Sequence, residues 1–193
     1  ITGDKMIKVI VMGASFGGME TVKKVITALP SGFKIPIAVV LHIGNNNIDT
    51  YMSLLEKHSH YKVKEAEEKE PLREQTVYFA PPNYHLLMEK NFTLSLSTDE
   101  KVNFSRPAID VLFKTAAWSV KDNLIGILLT GSNNDGAAGL QKIKENGGTT
   151  VVENPETAFA KTMPETAIKL FNPDYILDLK DIAAKIIEIS KMQ

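Results

Sequence analysis

Three short, almost unbroken apolar runs constrain this chain more than any other feature: Lys8 to Met12, Ile37 to Leu41 and Leu124 to Leu129. They are too short for core helices and lack the alternation of a strand with one wet face. Runs of this kind, rich in Ile, Val and Leu, predict strands buried on both faces, the environment of a parallel sheet covered by helices. The segment after each run has helical character. Beyond Gly13, the residues Met19, Val22, Val25, Ile26 and Leu29 recur at helical steps until Pro30, Ser31 and Gly32 stop them. After Leu41 come His42, the polar turn Gly44-Asn45-Asn46-Asn47 and helical spacing from Ile48 to His58. After Leu129 the turn formers Thr130 to Gly136 precede a helix over Ala138 to Asn146.

The remaining elements fit between these units. Val63 to Ala66 and Val77 to Ala80 read as short strands separated by a charged, solvated stretch, Glu67 to Arg73. Tyr84 to Met88 and Phe92 to Leu96 flank Glu89, Lys90 and Asn91, which predicts a β-hairpin set apart from the parallel pattern. Ile109, Leu112, Phe113, Ala116 and Val120 mark a helix, with Pro107 at a natural first-turn position. A strand at Thr149 to Glu153, a helix at Met163 to Leu170, a strand at Tyr175 to Leu177 and an amphipathic helix at Ile182 to Ile189 complete the chain. The expected fold is α/β, three-layer α/β/α, a doubly wound and mostly parallel sheet with a small antiparallel hairpin. At 193 residues, 44% of them hydrophobic, a single domain over residues 1–193 is expected.

Composition narrows the chemistry. Lysines and arginines number 22 against 23 acidic residues, so no basic field is available for a phosphate backbone and nucleic acid is not expected as a partner. There is no cysteine, so a thiolate nucleophile and cysteine-ligated zinc are excluded, and four histidines and many hydroxyls remain for chemistry. No apolar run approaches the roughly 18 residues that cross a bilayer, and Ile1 to Lys8 lacks a signal peptide's core, so membrane insertion is not expected and a cytoplasmic location is. No cofactor or metal is expected.

In a doubly wound sheet, function gathers at the carboxyl ends of the strands, where loops lead into helix N-termini. Ser15, His42 and Asp135 all fall in such loops, on one edge of the sheet. Gly13-Ala14-Ser15-Phe16-Gly17 matches the G-x-S-x-G nucleophile elbow. Ser15 also suits a helix cap, and Asp135 suits a cap for the helix near Ala138, so each has a structural alternative. A dinucleotide fingerprint fits worse, because Ser15 stands where its second glycine belongs, and no Walker loop is present. A serine hydroxyl needs a base and the base needs an orienting carboxylate, roles open to His42 and Asp135. Among the four histidines, His58 and His60 sit in a solvated connection, while His85 either lines the cleft or is a half-buried strand residue.

These residues resemble the catalytic domain of the CheB-type protein-glutamate methylesterases of bacterial chemotaxis. The likeness covers nearly the whole chain: Gly13-Ala14-Ser15 with Gly17-Gly18, His42 after an apolar strand, Ala80-Pro81 followed by His85, Arg106-Pro107-Ala108-Ile109-Asp110-Val111-Leu112-Phe113, Leu129-Thr130-Gly131 leading to Asp135-Gly136-Ala137, Gly147-Gly148 and Met163-Pro164. It implies a serine hydrolase with Ser15 as nucleophile, His42 as base and Asp135 as its partner. The implied substrate is the glutamate γ-methyl ester of a chemoreceptor's cytoplasmic helices, with deamidation of receptor glutamines as a second activity in some members. Candidate backbone oxyanion donors are Phe16 or Gly17 at the helix start and Ser132 in the loop before Asp135. Family members place a phosphorylation-receiver domain before the esterase, so a receiver is expected upstream in a longer chain or not at all. The chain departs from the pattern in having Phe16 after the nucleophile where threonine is common. It also has Ser132-Asn133 where Met-Gly is common, with asparagine as the next-best residue for positive φ. These departures leave open a second reading, a receptor-binding module of the same fold with impaired catalysis.

Overall fold

The computed structural model describes residues 6–43 and 48–191; the expected turn at Gly44 to Asn47 lies outside the described residues. Seven parallel strands form the main sheet: β1 (Val9–Ala14), β2 (Ile37–Leu41), β3 (Lys62–Glu65), β5 (Thr76–Phe79), β8 (Leu124–Leu128), β9 (Thr149–Glu153) and β10 (Tyr175–Leu177). Their order is β10-β9-β8-β1-β2-β5-β3. The chain thus leaves β1 in one direction through β2 and returns to its other side with β8, so the order reverses at β1. That reversal opens a crevice at the carboxyl ends of β8, β1 and β2, the place where doubly wound sheets bind ligands.

Side-chain alternation along the central strands builds two cores. Ile10, Met12 and Ala14 of β1, with Ile37, Val39 and Leu41 of β2, face one layer, made by α1 (Gly18–Thr27), α2 (Ile48–His58) and α6 (Leu179–Lys191). Val9, Val11, Ala38 and Val40 face the other, made by α3 (Ile109–Val120), α4 (Ala137–Glu145) and α5 (Thr162–Leu170). Helix α1 shows the physical basis. Val22, Val25 and Ile26 form one buried stripe, with Leu29 just beyond its end, and each side chain stabilises the fold by about 1.5–3 kcal/mol through removal from water.

The expected architecture is present, with two local differences. The hairpin, β6 (His85–Met88) paired with β7 (Thr93–Ser97), is joined by β4 (Glu70–Pro71) into a three-stranded antiparallel sheet. β4 falls inside the stretch Glu67 to Arg73, expected to be merely solvated. Its pairing is only two residues long, and proline is tolerated there because the strand lies at an edge. Pro107 does not occupy the first turn of α3; Ala108 is the N-cap and Pro107 precedes it.

Candidate active site

The chain leaves β1 through a tight turn in which the Gly18 N–H donates to the Ser15 carbonyl at 2.7 Å. Gly17, the N-cap of α1, has φ 80°, and a Cβ there would come within 2.6 Å of the Phe159 ring. Glycine is therefore required on both conformational and steric grounds. Ser15 makes no side-chain cap on α1, so the helix-cap alternative is not realised. The elbow is clamped to the neighbouring strand exit: Ser15 N–H donates to the Thr130 carbonyl at 2.9 Å, and the Thr130 hydroxyl donates to the Phe16 carbonyl at 3.0 Å. Among the described residues the backbone N–H groups of Phe16, Gly17 and Ser132 have no hydrogen-bond acceptor, which leaves them available to an oxyanion. The Phe16 ring is 61% exposed and packs on the exposed ring of Phe159, centroids 5.2 Å apart, forming an apolar rim beside Ser15.

His42 follows β2 and Asp135 lies in the loop after β8, the two strands flanking β1. His42 Nε2 lies 3.1 Å from Asp135 Oδ2. The ring N–H is not turned along that line, so the resting contact is electrostatic and lacks the alignment of a full hydrogen bond. Catalytic hydrogen bonds commonly tighten only with substrate in place. His42 Nδ1 faces the other way. A single amide nitrogen, Nδ2 of Asn133, lies 3.4 Å from Nδ1 and 3.4 Å from Ser15 Oγ. Ser15 and His42 thus share a contact with Asn133.

Asp135 is fully buried, and it caps a different helix from the one expected. Its Oδ2 accepts the Ile109 N–H at 2.6 Å and its Oδ1 accepts the Asp110 N–H at 3.0 Å, so it sits on the N-terminus of α3. The N-cap residue of α3, Ala108, has no side chain able to do this. Asp110 makes the reciprocal contact across the interface, its Oδ1 accepting the Gly139 N–H in the first turn of α4 at 2.7 Å. Asn103 Nδ2 bridges the two carboxylates, at 3.0 Å from Asp110 and 2.9 Å from Asp135. Burial pushes the Asp135 carboxyl up, but contacts from His42, Asn103 and the N–H groups of Asp110 and Ile109 outweigh it and hold it below the usual carboxylate range. A buried, ionised carboxylate facing an imidazole is the arrangement that orients a base and stabilises its cation.

The expected site residues fare differently. Ser15, His42 and Asp135 come together, Phe16 and Gly17 border Ser15, and Ser132 is exposed in the same loop cluster. His85 does not line the site. It is 1% exposed, its Nε2 meets the Glu100 carbonyl at 2.9 Å, and its Nδ1 accepts the Ala108 N–H at 3.2 Å. Both ring nitrogens are spent on joining β6 to the entry of α3, which leaves none for a substrate. Asn133 is not among the residues with positive φ, so its side chain, not backbone tolerance, is what it contributes. Asn103, Thr130 and Asn133 were not singled out as site residues from the sequence. No local pattern marks them, because each acts through contacts between loops far apart in the chain.

Residues 10–186 match the family model described as CheB methylesterase. A Leptospira interrogans protein provisionally named protein-glutamate methylesterase/protein-glutamine glutaminase is 51% identical over 182 residues, covering 94% of each chain. The protein-glutamate methylesterase/protein-glutamine glutaminase of Hydrogenovibrio crunogenus is 36% identical over 95% of this chain, and this chain spans half of that relative's length. The crystal structure of the Thermotoga maritima CheB methylesterase catalytic domain superposes with a TM-score of 0.89 at 35% identity, over 95% of this chain and 98% of that one. With family model, relatives and fold agreeing over almost all of its length, the chain belongs to the CheB methylesterase family.

Proposed function

We propose that the chain is a serine hydrolase that removes the methyl group from glutamate γ-methyl esters of a chemoreceptor's cytoplasmic helices. The observation that carries this reading is the convergence of Ser15, His42 and buried Asp135 at the exits of three adjacent strands. In the reaction, Ser15 Oγ bonds to the ester carbonyl carbon while its proton passes to His42 Nδ1. The carbonyl oxygen becomes an oxyanion that backbone N–H groups of Phe16, Gly17 and Ser132 receive. Collapse breaks the carbon–methoxy bond, and His42 returns the proton to the leaving oxygen, releasing methanol. Water then attacks the acyl-serine, giving one proton to His42; His42 passes it to Ser15 Oγ as the acyl bond breaks, and the released glutamic acid loses its remaining proton to solvent. Receptor glutamine would take the same path with ammonia as leaving group, in keeping with the double name of the relatives. The Phe16–Phe159 rim offers an apolar contact for the helix carrying the ester.

The site needs no cofactor in this scheme. Among the described residues no helix is long and apolar enough to cross a membrane, which fits action on receptor segments that reach into the cytoplasm. The reading takes residues 1–193 as one catalytic domain, partnered by a receiver domain only if the chain is part of a longer one. Methylated receptor incubated with the chain should release methanol, and Ser15→Ala should stop the release. Equal release by Ser15→Ala would overturn the assignment. The receptor-binding alternative predicts tight receptor association with no methanol from either protein.

A further inference from the structure

We propose that Asn133 is a further catalytic residue of this site, whose carboxamide supplies a side-chain donor to the oxyanion; the proposal rests on Ser15 being the nucleophile. Three contacts define the group. Its Oδ1 accepts the Asp135 N–H at 2.9 Å, which fixes the rotation of the carboxamide and commits its only acceptor. The Nδ2 nitrogen is thereby turned into the site, 3.4 Å from Ser15 Oγ and 3.4 Å from His42 Nδ1. At that length neither contact is a strong hydrogen bond, so either is readily exchanged for a better acceptor.

The reaction creates one. When Ser15 Oγ bonds to the ester carbon, the oxyanion appears two bonds from Oγ, within reach of a nitrogen already beside Oγ. At the same moment Nδ1 takes the serine proton and changes from acceptor to donor. Its contact with the Asn133 amide turns from attractive to repulsive, and Oγ, now bonded to carbon, becomes a poorer acceptor. Both resting partners of Nδ2 weaken just as negative charge develops nearby. The donor is therefore worth more in the transition state than in the ground state, the condition for it to accelerate the chemical step. Asp135 holds the other end of the same carboxamide through its N–H, so the residue whose carboxylate orients the base also positions this donor.

The test measures kcat and KM for methyl-ester hydrolysis by the wild type, Asn133→Ala, Asn133→Asp and Ser15→Ala. Asn133→Asp keeps an oxygen for the Asp135 N–H and removes both donors; Asn133→Ala is neutral and removes everything. Both should lose roughly 10²-fold in kcat, the scale for one oxyanion donor, with KM changed by less than about threefold. Full kcat in Asn133→Asp with loss confined to Asn133→Ala would mean that only the loop bond matters and would overturn the proposal. A rise in kcat in either variant would make the amide a lock on the base, and overturns it too. Inactive Ser15→Ala alongside unimpaired Asn133 variants removes the Asn133 role alone, whereas active Ser15→Ala removes the functional reading with it.

Discussion

Replacing Asp135 by asparagine separates what the carboxylate does for the fold from what it does for His42. Asp135 serves three donors, the N–H groups of Ile109 and Asp110 and the Asn103 amide, and faces the His42 ring at 3.1 Å. An asparagine offers one acceptor oxygen. If that oxygen keeps Asp110 and Asn103, its NH2 points at the Ile109 N–H and at His42 Nε2. Leaving one buried helix N–H without its charged acceptor costs about 1.5–3 kcal/mol, and removing the anion from a buried helix N-terminus adds up to about 2 kcal/mol. A net loss of about 3 kcal/mol is expected, which for a domain of this size lowers the melting temperature by roughly 6–12 °C. The loss depends on pH. The folded-state pKa of Asp135 lies below its unfolded value, so the stabilisation is complete above about pH 4 and disappears as pH falls through the folded value. Wild type and variant should therefore converge in acid. Activity should fall further than stability. The amide cannot accept the Nε2 proton, so the ring places its proton on Nδ1, where it cannot take one from serine; the same change in a trypsin-type triad costs about 10⁴-fold. Asp110→Asn is the control, because Asp110 holds Gly139 and Asn103 but does not touch His42. It should destabilise comparably and leave most of kcat in the folded fraction. Thermal melts from pH 3 to 8 and methanol-release kinetics on both variants decide the matter. Asp135→Asn with activity within tenfold of wild type, or Asp110→Asn as inactive as Asp135→Asn, would refute the reasoning.

Two further substitutions test the scaffold under the site. Glu153 is 1% exposed at the end of β9, and burial pushes its carboxyl up, outweighing the Thr130 N–H at 2.8 Å and the more distant Lys24. Its folded pKa therefore lies above its unfolded value, which makes ionised Glu153 a destabilising group at neutral pH. Glu153→Gln keeps an acceptor for Thr130, so melting curves should show it more stable than wild type at pH 8 and without that advantage below pH 4. Gly136, the N-cap of α4, has φ 91°, and a Cβ there would lie 2.6 Å from Leu128 Cδ1 and 2.7 Å from Ile109 Cγ2. Gly136→Ala should cost about 2–4 kcal/mol in denaturant unfolding through strain and overpacking together.

The parallel sheet was legible because strands buried on both faces are apolar throughout, and a run as short as Ile37 to Leu41 is too short for a core helix. The shared edge of Ser15, His42 and Asp135 was legible for a related reason: residues just after strands of a doubly wound sheet lie on one edge whatever the loops do. The Glu70–Pro71 strand was hidden because its pairing partner, Thr93 and Leu94, is distant in sequence and only two residues long. Pro107 misled because α3 takes its cap from Asp135, a residue in another loop. Asn133 stands in the sequence as a departure from a glycine, which bears on φ, whereas its contribution is a side chain that reaches Ser15 and His42. For His85 the sequence allows a cleft-lining residue but slightly favours a half-buried strand position. Only the occupancy of both ring nitrogens decides it.

The central claim is that Ser15 is a nucleophile activated by His42. Treating the chain with a fluorophosphonate and mapping the adduct by peptide mass spectrometry tests it without any receptor. A single adduct on Ser15 is predicted, forming far more slowly in His42→Ala and absent from Ser15→Ala. No adduct on the wild type, or an adduct that persists in Ser15→Ala, would contradict it.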